Sequence, residues 1–140
     1  MEINNFAGTH YFAEGNGLRP LGIKIEANNL SQLFLDAALK LSEIVLSGER
    51  VKSVASRTIE CQAVDENSLL YEWLITLIKI ADEESMIVQK CEFEDMSFTH
   101  LIAKVRFAKV KNLQVPTSVS EDINIKNKKR SFSVKVELGY

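Results

Sequence analysis

The feature that most constrains the fold of this chain is a nearly uniformly apolar helical segment, LLYEWLITLIKIA, at residues 69–81. Its apolar residues recur at spacings of three and four, which places them on one stripe of an α-helix: Leu70, Trp73, Leu74, Leu77, Ile78 and Ala81. Tyr71 and Ile75 widen this stripe. A helix of this kind lies across a sheet in the core. We therefore predict the core helix of a small α+β domain, the alternative being a ligand pocket or partner groove along one helix edge.

The length and composition are those of one globular domain. The chain has 140 residues, of which 46% are hydrophobic and 26% are charged. Its net charge of −2 and pI of about 5.7 give no overall field that attracts nucleic acid. We predict a single domain over residues 1–140, in which residues 1–20 are irregular.

We expect no signal peptide and no membrane-spanning segment. The first residues lack the charged region and apolar run of a signal peptide, and no apolar run is long enough to span a membrane. We expect a cytoplasmic protein without a membrane partner. Cys61 and Cys91 lie in strand-like alternation, so we interpret them as reduced core residues, with one disulfide as the alternative.

The first half of the chain alternates strand and helix signals. Tyr11 and Phe12 suggest a short first strand, and GIKIEA at residues 22–27 alternates like a half-buried one. A helix follows from Leu30 to Leu46, with Asn29 and Gln32 in a capping-box pattern and Gly48 past its end. After a connection at residues 48–53, RTIECQAV at residues 57–64 is the next predicted strand.

The second half is mostly β. Asp65 or Asn67 is expected to cap the apolar helix, and residues 82–84 to lie in a loop beyond it. Residues 86–95 and 100–110 should pair as a hairpin around a turn near residues 95–97. INIK at residues 123–126 and SFSVKVEL at residues 131–138 are two more strands around a KNKKR turn.

The predicted order is therefore β-α-β-α-β-β-β-β. This order favours an α+β fold in which two helices pack on one face of a mainly antiparallel sheet. The early βαβ units allow some parallel pairing. The predicted shared core contains Phe34, Trp73, Leu74, Leu77, Val105, Val134 and Val136.

Few residues suggest chemistry. His10 and His100 are the only histidines and lack a partner at metal-ligand spacing; His100 is expected to open a strand and face solvent. The acidic run Asp82, Glu83 and Glu84 suits either a hard cation or, as we favour, a solvated loop.

A basic run lies at the predicted hairpin tip: Lys126, Lys128, Lys129 and Arg130. It suits either non-specific, salt-sensitive phosphate contacts or, as we favour, a solvated turn that protects sheet edges. No aromatic residues are interleaved with these charges, so a stacking platform for single strands is not indicated. We expect no direct specific binding of nucleic acid.

Two longer segments resemble archease proteins. NLSQLFLDAALKLSEIVL at residues 29–46 looks like that family's first helix. NSLLYEWLITLIKIADEESMIVQKCEF at residues 67–93 looks like its second helix and following strand. GIKIEA is similar to the family's first strand, and the likeness covers most of residues 20–110 and the last strand.

The resemblance implies an archease-like fold and an accessory protein rather than an enzyme. Archeases assist an RNA-splicing ligase that joins tRNA halves, promoting its nucleotidylation and turnover with a bound divalent metal. In the family, the metal site uses acidic residues of a DHTAD-like motif before the first strand and an aspartate almost at the C-terminus. A KAVTYH-like motif before the last strand accompanies them.

This sequence departs from the family at all three places. Counting back from GIKIEA, the motif aspartates fall at Asn16 and Pro20, and the terminal aspartate falls at Gly139. DINIKN at residues 122–127 stands in the approximate place of KAVTYH. Because hard cations need charged oxygen ligands, we expect no metal and no cofactor. Calcium or magnesium would bind only if the site were rebuilt, for which Glu14 is a candidate ligand.

Three functions remain open at this point. The first is a divergent archease-like accessory protein that associates with an RNA-splicing ligase without metal-dependent stimulation. The second is a protein-binding module on the same fold with a different partner. The third is a small metal- or nucleotide-dependent enzyme, which only the acidic run and the isolated histidines suggest.

Overall fold

The structure, a computed structural model, describes residues 10–11, 21–45, 50–111 and 114–140. Its helices are α1 (Leu30–Val45) and α2 (Glu66–Glu84). Its strands are β1 (His10–Tyr11), β2 (Leu21–Ala27), β3 (Arg50–Gln62), β4 (Met86–Met96), β5 (His100–Val110), β6 (Ser118–Val119), β7 (Lys126–Lys128) and β8 (Ser131–Gly139).

The strands form two sheets. One has the order β1-β2-β8-β6 with β7 also on β8, and the other has the order β3-β5-β4. All of the described pairings are antiparallel. The predicted α+β class with two helices and antiparallel strands is confirmed, whereas the expected single sheet is divided. The division arises because β3 pairs with β5 and β2 pairs with β8, so α1 carries the chain from one sheet to the other.

Helix α1 begins as its sequence predicts. The Asn29 side-chain oxygen accepts from the backbone N–H of Gln32 at 2.8 Å. The Gln32 side-chain amide donates to Asp36 at 2.8 Å instead of turning back to Asn29, so half of the predicted capping box forms. Gly48, the predicted C-terminal glycine, lies outside the described residues.

Helix α2 begins as one of its two predicted caps requires and is longer than predicted at its C-terminal end. Of the two candidate caps, Asp65 accepts from the backbone N–H of Ser68 at 2.8 Å. The expected loop at residues 82–84 is wrong, because the helix continues to Glu84 and is capped by Ser85 in the left-handed conformation (φ 57°). Arg57 pairs with Glu84 and offsets the unfavourable charge at the helix C-terminus.

Strand β3 also exceeds its predicted length. It starts at Arg50, inside the predicted connection, because it continues to pair with β5 as far as Val110. The β4–β5 hairpin forms as predicted, with its turn at residues 97–99 because β4 extends to Met96. The β7–β8 hairpin forms too, but β7 begins only at Lys126.

The predicted core is confirmed. Phe34 and Trp73 are completely buried, and all seven predicted residues belong to one cluster. The buried hydroxyl of Ser42 donates to Ala38 and accepts from the backbone N–H of Val88, both at 3.1 Å. Ser42 thereby fastens α1 to β4.

A second tertiary hydrogen bond joins α2 to the segment before β7. The Asn67 side chain accepts from the backbone N–H of Ile125 at 2.8 Å, so this residue is a tertiary contact rather than the helix cap. Within the described ranges, no helix combines the length and apolar character needed to cross a membrane.

Candidate functional site

The site implied by the archease resemblance maps to one end of the larger sheet. There Gly139 of β8 lies opposite Ser118 of β6, and Leu138 lies opposite Leu21 of β2. Leu21 also pairs with Tyr11 of β1. Glu14, Asn16 and Pro20 lie outside the described residues, so Gly139 is the described member of this candidate set.

Gly139 is half-buried and bonded to the segment that leads into β6. Its carbonyl oxygen accepts from the N–H of Thr117 at 2.7 Å and from the Thr117 hydroxyl at 3.2 Å. A Cβ at position 139 would lie 2.5 Å from Oγ of Ser118. A hydroxyl therefore occupies the space in which any side chain at position 139 would begin.

The described residues at this sheet end do not fit a divalent cation. Gly139 has no side-chain oxygen, and the carboxylate of Glu137 belongs to the next outward position on β8. Across the described part of the chain, no group of three His, Cys, Asp or Glu side chains is placed to hold a metal ion. Hard cations need several oxygen ligands. The loss of the family's site stays a prediction, and Asn16 and Pro20 lie outside the described residues.

His100 opens β5 as predicted, but its ring is engaged on both sides. Nδ1 lies 2.9 Å from a carboxylate oxygen of Asp95, and Nε2 lies 2.6 Å from one of Glu60. The side chain lies on the outer face of β5, as expected, and 24% of it is exposed because the two carboxylates cover part of the ring. The hydrogen bond to Glu60, and then that to Asp95, raises the pKa of His100 above its usual value of 6.5.

This arrangement favours a structural role for His100. Glu60, His100 and Asp95 come from β3, β5 and β4, so the imidazole links all the strands of the smaller sheet. Acting as a general base or a metal ligand would require releasing a carboxylate first. For His10, the structure describes the backbone pairing with Gly22.

The last residue of the acidic run at the end of α2 forms an ion pair. Glu84 forms a two-pronged ion pair with Arg57, whose Nη1 donates to Oε2 at 2.7 Å while Nη2 donates to Oε1. The Arg57 hydrogen bonds hold the pKa of Glu84 below its usual range. The guanidinium also lies 5.9 Å from the centroid of the Phe107 ring. These contacts give Glu84 a role in fixing α2 to the smaller sheet, whereas Asp82 and Glu83 are exposed.

Both cysteines are free, as predicted. Cys61 is buried, with Sγ 4.0 Å from the Thr76 hydroxyl, and Cys91 is half-buried. Burial raises the pKa of the Cys91 thiol to about 11 and also raises that of Cys61. Neither thiol is an activated nucleophile, because the thiolate is the reactive form.

The predicted basic tip is exposed. Lys126, Lys128, Lys129 and Arg130 surround the β7–β8 turn, where Lys129 has a φ of 52°. Lys126 and Lys128 also line a cavity of about 630 Å³ over the outer face of the larger sheet. Two more lysines, Lys24 and Lys135, line the same cavity, and so do the acids Glu26 and Asp122. The proposed interaction role of the tip stays a prediction.

Two surface features were missed by sequence reasoning. One is a pair of exposed apolar residues, Val64 (84% exposed) and Phe98 (54%), whose chain neighbours Ala63 and Thr99 are joined by a backbone hydrogen bond of 2.9 Å. The other is a basic groove on the smaller sheet. Both features depend on pairing between strands that are distant in the sequence. The sequence contains one signal for the first feature, a Phe at the predicted β4–β5 turn, and none for the second.

The family model described as the Archease protein family matches residues 21–135. This range includes both helices and all of the smaller sheet. The chain belongs to the archease family. The predicted resemblance is thus confirmed.

Two curated archeases are similar to this family member over half its length. Protein archease of Sulfurisphaera tokodaii is 29% identical over 70 residues, 50% of each chain. Protein archease of Methanothermobacter thermautotrophicus is 33% identical over 63 residues, 45% of each. The chain therefore spans about half the length of the curated relatives that it matches.

Solved structures support an archease fold over a larger share of the chain. The solution structure of Methanobacterium thermoautotrophicum protein 1598 has a TM-score of 0.70 and 22% identity, covering 95% of this chain and 99% of that one. A crystal structure of an archease, described as a possible chaperone, from Thermotoga maritima has a TM-score of 0.64 and 11% identity. It covers 85% of this chain and 89% of that one.

Proposed function

We propose that this archease is an accessory protein that associates with an RNA-splicing (tRNA) ligase without giving the metal-dependent stimulation attributed to the family. The observation that carries the missing metal-dependent stimulation is at Gly139. Its position has no carboxylate, and the Ser118 hydroxyl occupies the space beside it. Family membership supports the proposed association with a ligase, since it implies the accessory role and the partner.

The chemistry behind the missing stimulation concerns charged oxygen ligands. The proposed metal positions carry an amide at Asn16, a ring without donor or acceptor at Pro20, and a hydrogen at Gly139. An amide oxygen alone is a weak ligand for Ca²⁺ or Mg²⁺, which favour several carboxylates. Glu14 would be a single compensating carboxylate. No cofactor is therefore part of the proposed activity, and the chain is not itself an enzyme.

Association with a partner does not depend on those positions. Val64 and Phe98 form an exposed apolar pair at the end of the smaller sheet where the β4–β5 turn lies. Aromatic residues that are partly exposed are frequent anchors of protein interfaces. We assign the partner contact to this pair, with Phe98 as its main anchor.

The test separates association from stimulation. Binding of the purified cognate ligase is measured by titration, and multiple-turnover ligation is measured with and without this protein. We expect binding that Phe98→Ser weakens, and no increase in turnover in the presence of Mg²⁺ or Ca²⁺. An increase in turnover contradicts the loss of stimulation. Failure to bind the ligase contradicts the association.

A second candidate function is a binding module with a different protein partner. The same exposed pair, Val64 and Phe98, favours it, because an apolar contact surface does not specify a ligase. The two candidates differ in the titration with the cognate ligase. Absence of binding there, together with a partner whose capture requires Phe98, would favour the second candidate.

A further inference from the structure

The outer face of the smaller sheet carries two parallel rows of exposed side chains. In the first row, Arg106 of the central strand lies directly opposite Ser56 on one side and Lys90 on the other. The second row, formed in the same way, contains Thr58, Lys104 and Glu92. All of these residues are exposed. Neighbouring strands are about 5 Å apart, so each row presents its polar groups close together.

These rows line a groove of about 600 Å³ that has an apolar wall. The wall consists of Leu35 and Leu39 on α1, both of which are half-buried. Helix α1 lies next to the sheet here because Ser42 bonds to Val88 on β4. The groove is open to solvent, and its volume is sufficient for a small organic ligand. The groove thus combines hydroxyls, cations and the carboxylate of Glu92 on its floor with aliphatic carbon on one side.

The first row has an unbalanced charge. Lys90 and Arg106 lie directly opposite each other, and like charges in that relationship destabilise an antiparallel pair. Within the described part of the chain, neither has an acidic partner. Lys104 of the second row, in contrast, is paired with Glu94 at 3.3 Å. An anion bound between Lys90 and Arg106 would relieve their repulsion.

We propose that this groove binds a small organic phosphate. Its phosphate group accepts from the guanidinium of Arg106, the ammonium of Lys90 and the hydroxyl of Ser56, while its organic part rests on Leu35 and Leu39. Arginine and lysine are the side chains that most often bind phosphate, and arginine does so through two parallel hydrogen bonds.

The charges around the groove favour a small ligand over a nucleic acid. Glu92 belongs to the second row and Glu94 pairs with Lys104 of that row, so a long polyanion crossing both rows would meet like charge. The cavity over the larger sheet is a weaker candidate. Its Lys24 is already paired with Glu26, and its lining is mostly polar. The inference does not rest on ligase association.

The test is a backbone amide NMR titration of the full chain with adenosine 5′-monophosphate as the probe. We expect saturable shifts at Ser56, Lys90 and Arg106, weaker ones with inorganic phosphate, and none with adenosine. Arg106→Gln should weaken binding roughly tenfold or more, as loss of a charge-assisted hydrogen bond does. Arg106→Lys should retain part of the affinity, because it keeps the charge but not the planar fork.

The matched control is Lys135→Gln. It removes the same charge from an exposed lysine on the outer face of the other sheet, and should change the affinity less than twofold. Equal weakening by Lys135→Gln would show diffuse attraction and overturn the site. So would unsaturated shifts at millimolar probe, or tighter binding of a short RNA centred on residues 126–130. Unchanged urea unfolding midpoints confirm that the variants are folded.

Discussion

The indole N–H of Trp73 donates to the backbone carbonyl of Phe34 at 3.0 Å, with both residues fully buried. Phe34 lies in α1 and Trp73 in α2, so the bond joins the two helices inside the core. The Trp73 ring also packs 5.5 Å from that of Phe93 on β4, tilted by 56°. One side chain therefore fixes both helices against the smaller sheet.

This relationship gives a first prediction. Trp73→Phe keeps an apolar ring but removes the donor, so a buried carbonyl loses a hydrogen bond. We expect the free energy of unfolding to fall by roughly 1–3 kcal/mol. Urea denaturation followed by far-UV circular dichroism measures it. An unchanged free energy of unfolding would show that the indole bond contributes nothing to stability.

A second prediction concerns the apolar stripe of α2. Leu77 is 4% exposed, and Leu77→Ala should lower the free energy of unfolding by about 2–5 kcal/mol because it leaves a cavity in the core. Lys79→Ala is the matched control, since Lys79 is exposed on the same helix and its truncation should change stability by less than about 0.5 kcal/mol. Similar effects of both variants in chemical denaturation would contradict the placement of the helix.

The success of the sequence in predicting this core has a physical reason. Helical periodicity is local, so the buried stripes of α1 and α2 and the alternation of β5 and β8 could be read directly from neighbouring residues. Strand partners are not local. Nothing near β2 in sequence indicated that it pairs with β8 rather than β3, which is why two sheets were expected as one.

The misjudged candidate sites have the same origin. The end of α2 could not be predicted because Glu84 is compensated by Arg57, which lies on β3. The surroundings of His100 come from two other strands, through Glu60 and Asp95. Gly139, in contrast, was identified by counting along a family pattern, and the structure adds the contact with Ser118 that counting could not supply.

A third prediction follows from the hydrogen bonds that the His100 imidazole makes with two carboxylates. Because the folded state raises the pKa of His100 above 6.5, the protonated ring stabilises the fold. That contribution is complete below about pH 6.5 and is lost as the pH rises through the raised pKa. We expect the urea midpoint of the protein, relative to His100→Gln, to decline above pH 6.5.

The measurement is a series of urea denaturations between pH 5.5 and pH 9 on both proteins. Because Glu60 and Asp95 are more than half exposed, added salt should reduce the difference between them. A difference that grows with rising pH would have the wrong sign and would exclude a stabilising imidazolium.

A fourth prediction concerns thiol reactivity. With the pKa of Cys91 raised to about 11 by burial, almost none of the thiol is ionised at pH 7.5, and Cys61 is shielded in the same way. We expect little alkylation of either residue by iodoacetamide in the native protein and rapid alkylation of both in urea. Mass spectrometry of the labelled peptides measures it. Rapid native labelling of Cys91 would contradict its burial at the α2 side of the sheet.

The last prediction tests the proposed loss of metal-dependent stimulation by restoring carboxylates. Asn16→Asp, Pro20→Asp and Gly139→Asp together return an acid to each family position. At Gly139 the new Cβ would lie 2.5 Å from Oγ of Ser118 but 3.9 Å from its Cβ. Adding Ser118→Ala therefore removes the clash while keeping an ordinary contact. We expect calorimetry to detect one Ca²⁺ site at micromolar concentration in the variant with all four substitutions, because clustered carboxylates supply the oxygen ligands that Ca²⁺ favours.

The unmodified protein is the reference and should show no such site, as should Ser118→Ala alone. If the unmodified protein binds one Ca²⁺ at micromolar concentration, Glu14→Ala identifies whether Glu14 supplies the ligand. That binding would overturn the proposed loss of metal, whatever the ligation assay gives. If instead the variant with all four substitutions gains both Ca²⁺ binding and stimulation of the cognate ligase, the missing carboxylates alone account for the difference from the family.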